Sequence, residues 1–177
     1  MRRKFFLLAF SVAAICFSTS TVAKAQKNKP PKVTALTLQK LNVIKEGVGI
    51  EGIVVGKSTM ADVEKKFGKD YNWIANKKYS YQMAYPKLGL SFYICQADKR
   101  KEIFVIEIKQ PYRAQTSRGV RLGQSTVEEI EKTYGKLKSG LEYRGISFYY
   151  NRVGGKRIVS TIDVTENSGI RQCKENK

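Results

Sequence analysis

Gly56–Lys69 reads GKSTMADVEKKFGK, and Gly123–Lys136 reads GQSTVEEIEKTYGK. The two stretches share seven of fourteen residues and begin 67 positions apart. Most remaining positions exchange like for like: Asp62 with Glu129, Val63 with Ile130, Phe67 with Tyr134. An internal repeat of this length signals one supersecondary unit used twice. Each stretch reads as a short helix of about ten residues. Thr59 with Asp62, and Thr126 with Glu129, have the spacing of a capping box. Met60, Val63 and Phe67 fall on one helical face, as do Val127, Ile130 and Tyr134. Lys65 and Lys66 suit the negative end of the helix dipole, and Gly68 and Gly135 supply the stop. Helices this short need a packing partner.

That partner is legible downstream. Tyr79–Tyr85, Leu90–Cys95 and Glu102–Lys109 alternate in polarity, are rich in aromatic and β-branched residues, and are separated by turn residues at Pro86–Gly89 and Gln96–Lys101. The second copy repeats the pattern with the offset reduced to 56: Gly89–Tyr93 aligns with Gly145–Tyr149, and Ile106–Ile108 with Ile162–Val164. The eleven residues lost between helix and first strand leave the second copy without a counterpart of Trp73, and with a shortened first strand near Leu141–Tyr143. The fold class expected is α+β, a tandem repeat of a helix-plus-antiparallel-sheet unit with the short helices on one sheet face.

The succession Gly-x-Ser-Thr, amphipathic helix, Phe-Gly, aromatic strand, Gly-Leu-Ser-Phe strand, basic turn and Ile-x-Ile strand resembles the SmpA/OmlA-type module. It is also similar to the unit found twice in β-lactamase inhibitor protein-like (BLIP-like) proteins. The resemblance covers about Gly52–Thr165 and implies a helical layer on a sheet whose other face is free to bind protein. The chain lacks a convincing lipobox, and none of its loops can be equated with an inhibitory loop.

The organisation expected is a signal peptide over 1–25, a basic leader over 26–45, a first repeat over 46–112, a linker over 113–119, a second repeat over 120–165 and a tail over 166–177. MRRK, an apolar run through Phe17 and Ala23-Lys24-Ala25 form the three parts of a secretory signal. Ile15 occupies the position before Cys16 where a lipobox requires a small residue. Cleavage near Ala25 makes the protein exported, periplasmic or secreted, and soluble. It lowers the net charge from +18 to +14 by removing Arg2, Arg3, Lys4 and Lys24. Within the leader, Val33–Ile44 reads equally as a short helix or a strand. Cleavage also removes Cys16, leaving Cys95 and Cys173, and an even pair in an exported protein favours a disulfide.

Two nucleotide-binding signatures fail on context. Gly47–Gly52 spells GxGxxG but precedes the strand-like Ile53-Val54-Val55 rather than a helix. Gly56–Thr59 resembles the end of a phosphate-binding loop, yet Glu51 stands where its first glycine belongs and Gln124 replaces the lysine in the second copy. The chain has no histidine, which removes Ser-His and Cys-His nucleophilic arrangements. Glu107 and Asp163 occupy equivalent strand positions and could face one another across a pseudo-symmetric sheet, a faint echo of two-carboxylate hydrolysis. No catalytic residue, cofactor or metal is assigned.

Strand alternation turns Leu90, Phe92 and Ile94, with Ile146, Phe148 and Tyr150, toward the helices. Ser91 and Tyr93, with Ser147 and Tyr149, point the other way. Ile103, Val105 and Glu107 do the same if Phe104, Ile106 and Ile108 are core. A face mixing tyrosine, serine and aliphatic residues suits protein binding. The turns carrying Lys99, Arg100 and Lys101, and Arg152, Lys156 and Arg157, add positive charge. The function expected is a non-enzymatic protein-binding or scaffold module of the cell envelope or exterior, in its more specific form an inhibitor of a secreted or periplasmic hydrolase. The alternative is a charge-driven binder of anionic lipid headgroups or polysaccharide. Nucleic acid is not an expected partner.

Overall fold

The computed structural model describes residues 41–76, 80–169 and 173. The signal segment, the leader up to residue 40, Tyr79 at the start of the first aromatic strand, and most of the tail beyond 169 lie outside the described residues. Three short strands open the described chain: β1 (Asn42–Ile44), β2 (Gly49–Ile50) and β3 (Ile53–Val54). Helix α1 (Met60–Phe67) precedes β4 (Asn72–Asn76), β5 (Ser80–Tyr85), β6 (Leu90–Cys95), β7 (Ile103–Lys109) and β8 (Ala114–Thr116). Helix α2 (Val127–Tyr134) precedes β9 (Glu142–Tyr143), β10 (Ile146–Val153) and β11 (Lys156–Thr165).

Seven strands form one antiparallel sheet in the order β4-β5-β6-β7-β11-β10-β9. The two short helices pack on one face of it, giving an α+β architecture. β7 and β11 pair at the centre, so both halves of the chain contribute to a single continuous sheet. The row Phe92, Ile106, Val164, Ile146 and the row Leu90, Ile108, Ile162, Phe148 make up the buried face. Phe67 of α1 meets Phe92 with ring centroids 5.5 Å apart, and Tyr134 of α2 meets Phe148 at 5.2 Å. The aromatic at the end of each helix thus docks on the aromatic in the middle of the Gly-x-Ser-Phe strand.

The leader's last residues are built into the fold. β1 pairs in parallel with β8, and Ile44 is completely buried in the main core. The GxGxxG run is a hairpin: β2 and β3 pair antiparallel around Glu51 and Gly52.

The two helix starts differ. In α2 the capping box is reciprocal: the Glu129 N–H donates to Thr126 Oγ1 at 3.2 Å, and the Thr126 N–H donates to the Glu129 carboxylate at 3.2 Å. In α1 Asp62 accepts from both the N–H and the hydroxyl of Thr59, at 2.8 and 2.9 Å. Both arms of the capping box are present in α1 too, but its Thr59 oxygen makes no close hydrogen bond to a helix N–H. Both helices end at glycines with φ of 82° and 95°, a region that L side chains rarely enter. Each cap N–H closes the last turn, on the carbonyl of Glu64 or Glu131.

The expected disulfide is present. Cys95 and Cys173, 78 positions apart in sequence, are bonded with Cα atoms 5.2 Å apart. Among the described residues no helix is long and apolar enough to cross a membrane.

Candidate functional site

The sheet face turned away from the helices carries one transverse row through all seven strands: Asn72, Ala84, Ser91, Glu107, Asp163, Ser147 and Glu142. Glu107 and Asp163 are direct partners at its centre. Each has a serine on its outer side, Ser91 beside Glu107 and Ser147 beside Asp163. Ser91 also accepts a hydrogen bond from Gln82 Nε2 at 3.0 Å. On one side of this row runs Ile74, Gln82, Tyr93, Val105 and Thr165; on the other, Lys109, Thr161 and Tyr149. Tyr93 and Tyr149 thus flank the carboxyl pair diagonally, one from each half of the chain.

All five sequence-predicted face residues, Ser91, Tyr93, Val105, Ser147 and Tyr149, share this surface. Their accessibility is uneven. Ser91, Val105 and Ser147 are buried, Tyr93 is half-buried, and Tyr149 is 46% exposed. The inequality comes from the far end of the face, where Cys95, Phe104 and Val105 form a separate apolar cluster with Tyr93 and Cys173 packed against it. The disulfide therefore seals the Tyr93 side and leaves the Tyr149 side open.

Phe104 corrects the alternation read from the sequence. Tyr93 pairs with Val105 but Ile94 pairs with Ile103, so Phe104 is an extra residue at a β-bulge. The bulge turns Ile103 into the core, where it is completely buried, and sends Phe104 to the opposite face. Ser160 is the matching extra residue of β11, between Thr161 opposite Tyr149 and Val159 opposite Tyr150. Strict alternation cannot reveal such an insertion, because the side chains on either side of it look interchangeable.

Two carboxylates directly opposite one another in an antiparallel pair repel. Lys109 relieves one of them, with its Nζ 2.9 Å from the Glu107 carboxylate. Among the described residues Asp163 has no ion-pair partner. Its Oδ1 is shielded from solvent and accepts no hydrogen bond among the described residues. Burial first, and then the neighbouring charge of Glu107, push its carboxyl up to about 7, against the smaller opposing effects of Tyr149 and Lys109. Near neutral pH Asp163 therefore passes between its protonated and charged forms. Burial and the same two carboxylates hold the phenols of Tyr93 and Tyr149 above their ordinary value, so both stay neutral donors.

The six basic turn residues do not come together. Lys99–Lys101 leads into β7, and Lys156 and Arg157 begin β11, which runs antiparallel beside β7. The two turns consequently lie at opposite ends of the sheet. Arg100 pairs with Glu102 at 2.9 Å, Lys101 donates to the Gln96 carbonyl at 3.0 Å, and Arg157 pairs with Glu128 on α2. Lys99, Arg152 and Lys156 are exposed.

Two cavities lie elsewhere among the described residues. One of about 460 Å³ runs between the β3 region and α1, lined by Glu51, Lys57, Asp62 and Lys66 among others. A second of about 510 Å³ lies beside Gln110–Ala114 and Arg121. Among the described residues no group of three or more acidic, cysteine or histidine side chains could hold a metal ion.

No family model and no curated protein matches the chain. Among solved structures, the crystal structure of a DUF4309 family protein, YjgB from Bacillus subtilis, is similar at 16% sequence identity with a TM-score of 0.43, over 68% of this chain and 88% of that one.

Proposed function

We propose that the protein is an exported, non-enzymatic binding module, built by tandem duplication of one α+β unit, that engages a protein partner through the sheet face opposite its helices. The observation that carries this reading is the pairing of Glu107 with Asp163 between Tyr93 and Tyr149 in the middle of that face. Neutral tyrosines beside partly desolvated carboxyls offer large contact area and directional polar groups together, the composition found at the centres of protein interfaces. The resemblance to SmpA/OmlA-type and BLIP-like modules supports the same use of the face. It is also the source of the more specific form of the proposal, inhibition of a secreted or periplasmic hydrolase.

Charge-driven binding to anionic headgroups or polysaccharide is the weaker reading, because the basic turns sit at opposite ends of the sheet and half of their side chains are engaged within the chain. A hydrolytic role for the carboxyl pair has no cleft among the cavities described to receive a substrate.

The test is capture of envelope and secreted proteins on immobilised wild type and on the Tyr93→Ala/Tyr149→Ala variant, followed by identification of what is retained. Selective loss of one partner with the variant supports the sheet face. Equal recovery on both removes it.

A further inference from the structure

β10 is a long strand with an incomplete neighbour. β9 pairs with it only at Ile146 and Ser147, and the Phe148 N–H then donates to the Leu141 carbonyl at 3.0 Å. Main-chain groups alternate sides along a strand, so those of Tyr150 and Arg152 point the same way, beyond the end of β9. The bulge in the β10–β11 pairing lies on β11, so this alternation is unbroken in β10. Among the described residues no main-chain hydrogen bond reaches Tyr150–Val153 from that side. In the other half of the chain β5 covers the corresponding edge of β6 from Leu90 to Cys95.

The side chains along this edge are large and apolar where solvent reaches them: Tyr149 is 46% exposed, Tyr150 42% and Val153 61%. A cavity of about 260 Å³ opens alongside, on the helix side, with Leu137, Leu141 and Tyr150 in its wall. Lys136 and Lys138 also line it, with Glu131 and with Arg157, whose guanidinium is paired with Glu128. Arg152 and Lys156 extend the positive charge along the strand end and turn.

We infer that the Tyr149–Val153 edge of β10 is a strand-addition site for an extended acidic segment of a partner protein. Such a segment gains main-chain hydrogen bonds from Tyr150 and Arg152, and its side chains alternate between the two faces. One set lies over Tyr149 and Val153. The other reaches the cavity, where carboxylates meet Lys136 and Lys138. The charge decides the occupant: a second copy would set one strongly basic chain against another, whereas an acidic strand is complementary. The site meets the carboxyl-pair face only at Tyr149, while its main-chain groups and the helix-side cavity lie apart from Glu107 and Asp163.

The experiment uses the disulfide-bonded mature chain and a capped synthetic decapeptide alternating glutamate and valine, with the lysine-for-glutamate peptide as control. Hydrogen exchange followed by NMR should show the Tyr150 and Arg152 amides slowed at least tenfold by the acidic peptide and unchanged by the lysine peptide. Affinity should fall at least tenfold between 50 and 300 mM salt. Arg152→Pro removes an outward N–H at a position where edge strands tolerate proline, and should weaken binding at least tenfold. Should that variant fail to fold, Arg152→Glu keeps the N–H and must still weaken the acidic peptide by charge. Absence of binding, or protection mapped to β4 or to the Lys99–Lys101 turn, overturns the proposal. A dimer with these amides already protected in the absence of peptide assigns the edge to a second copy and overturns it equally.

Discussion

Glu107 and Asp163 are direct cross-strand partners in the β7–β11 pair that joins the two halves of the sheet. Two like charges at the seam of a fold cost stability, and the chain carries that cost through Asp163, whose carboxyl is pushed up from 3.8 to about 7 by burial and by Glu107.

The consequence is a stability that falls as pH rises. Between pH 4 and 7 the native state holds a proton on Asp163 that the unfolded chain has released, so stability is full at the acid end and is lost as pH passes 7. Asp163→Asn should abolish this slope and raise unfolding free energy at pH 8 by about 2–4 kcal/mol, the upper figure being the full electrostatic cost of the displacement. Urea denaturation of both proteins at pH 5 and pH 8 checks it. Equal stabilisation at the two pH values would show that Asp163 titrates normally.

Removal of the disulfide should do two separable things. Closing a loop of 78 residues restricts the unfolded chain, and Cys95→Ala/Cys173→Ala should cost about 4 kcal/mol on the chain-entropy account. It should also uncover the Phe104, Val105 and Tyr93 cluster. Solvent-perturbation spectroscopy of the tyrosines, with denaturation midpoints, measures both effects.

The two helix caps should respond unequally. Thr126→Ala removes an acceptor from the Glu129 N–H and should destabilise by about 1 kcal/mol. Thr59→Ala deletes a hydroxyl that donates to Asp62 while the Thr59 N–H contact with the same carboxylate survives, so its cost should be about half of that or less. Thermal midpoints of the two variants make the comparison.

Phe92 and Tyr149 separate stability from binding. Phe92 is completely buried against Phe67 and Tyr85, and its truncation to alanine should cost about 3–5 kcal/mol. Tyr149 is 46% exposed, and Tyr149→Ala should change stability by about 1 kcal/mol or less while weakening partner capture. Chemical denaturation and capture assays on both variants decide whether the face is a binding surface.

Much of the fold could be read from residue order, because its devices are local. The caps, the Val63 and Ile130 stripes, the glycine stops and the alternation in Leu90–Cys95 and Ile146–Tyr149 depend on neighbours within a turn or a strand. The equivalence of Glu107 and Asp163 was legible through the 56-residue offset, and so was the likeness of Tyr93 and Tyr149. The β1–β8 pairing was not, since three residues of leader carry no periodicity. The bulges at Phe104 and Ser160 escaped for a related reason: an inserted residue leaves local composition unchanged and is fixed only by the register of the neighbouring strand.

Sequence by itself determined the two helices and their apolar stripes, the strands around Leu90–Cys95, Ile103–Lys109 and Ile146–Val153, and the two cysteines available to bond. Tertiary structure alone decided that both halves share one sheet through β7 and β11. That pairing sets the two carboxylates opposite one another and places the basic turns at opposite ends. It also decided that Tyr93 is shielded while Tyr149 is open, and that β9 pairs only with the first residues of β10. These properties arise from contacts between residues tens of positions apart, where burial and Coulomb forces depend on distance in space rather than along the chain.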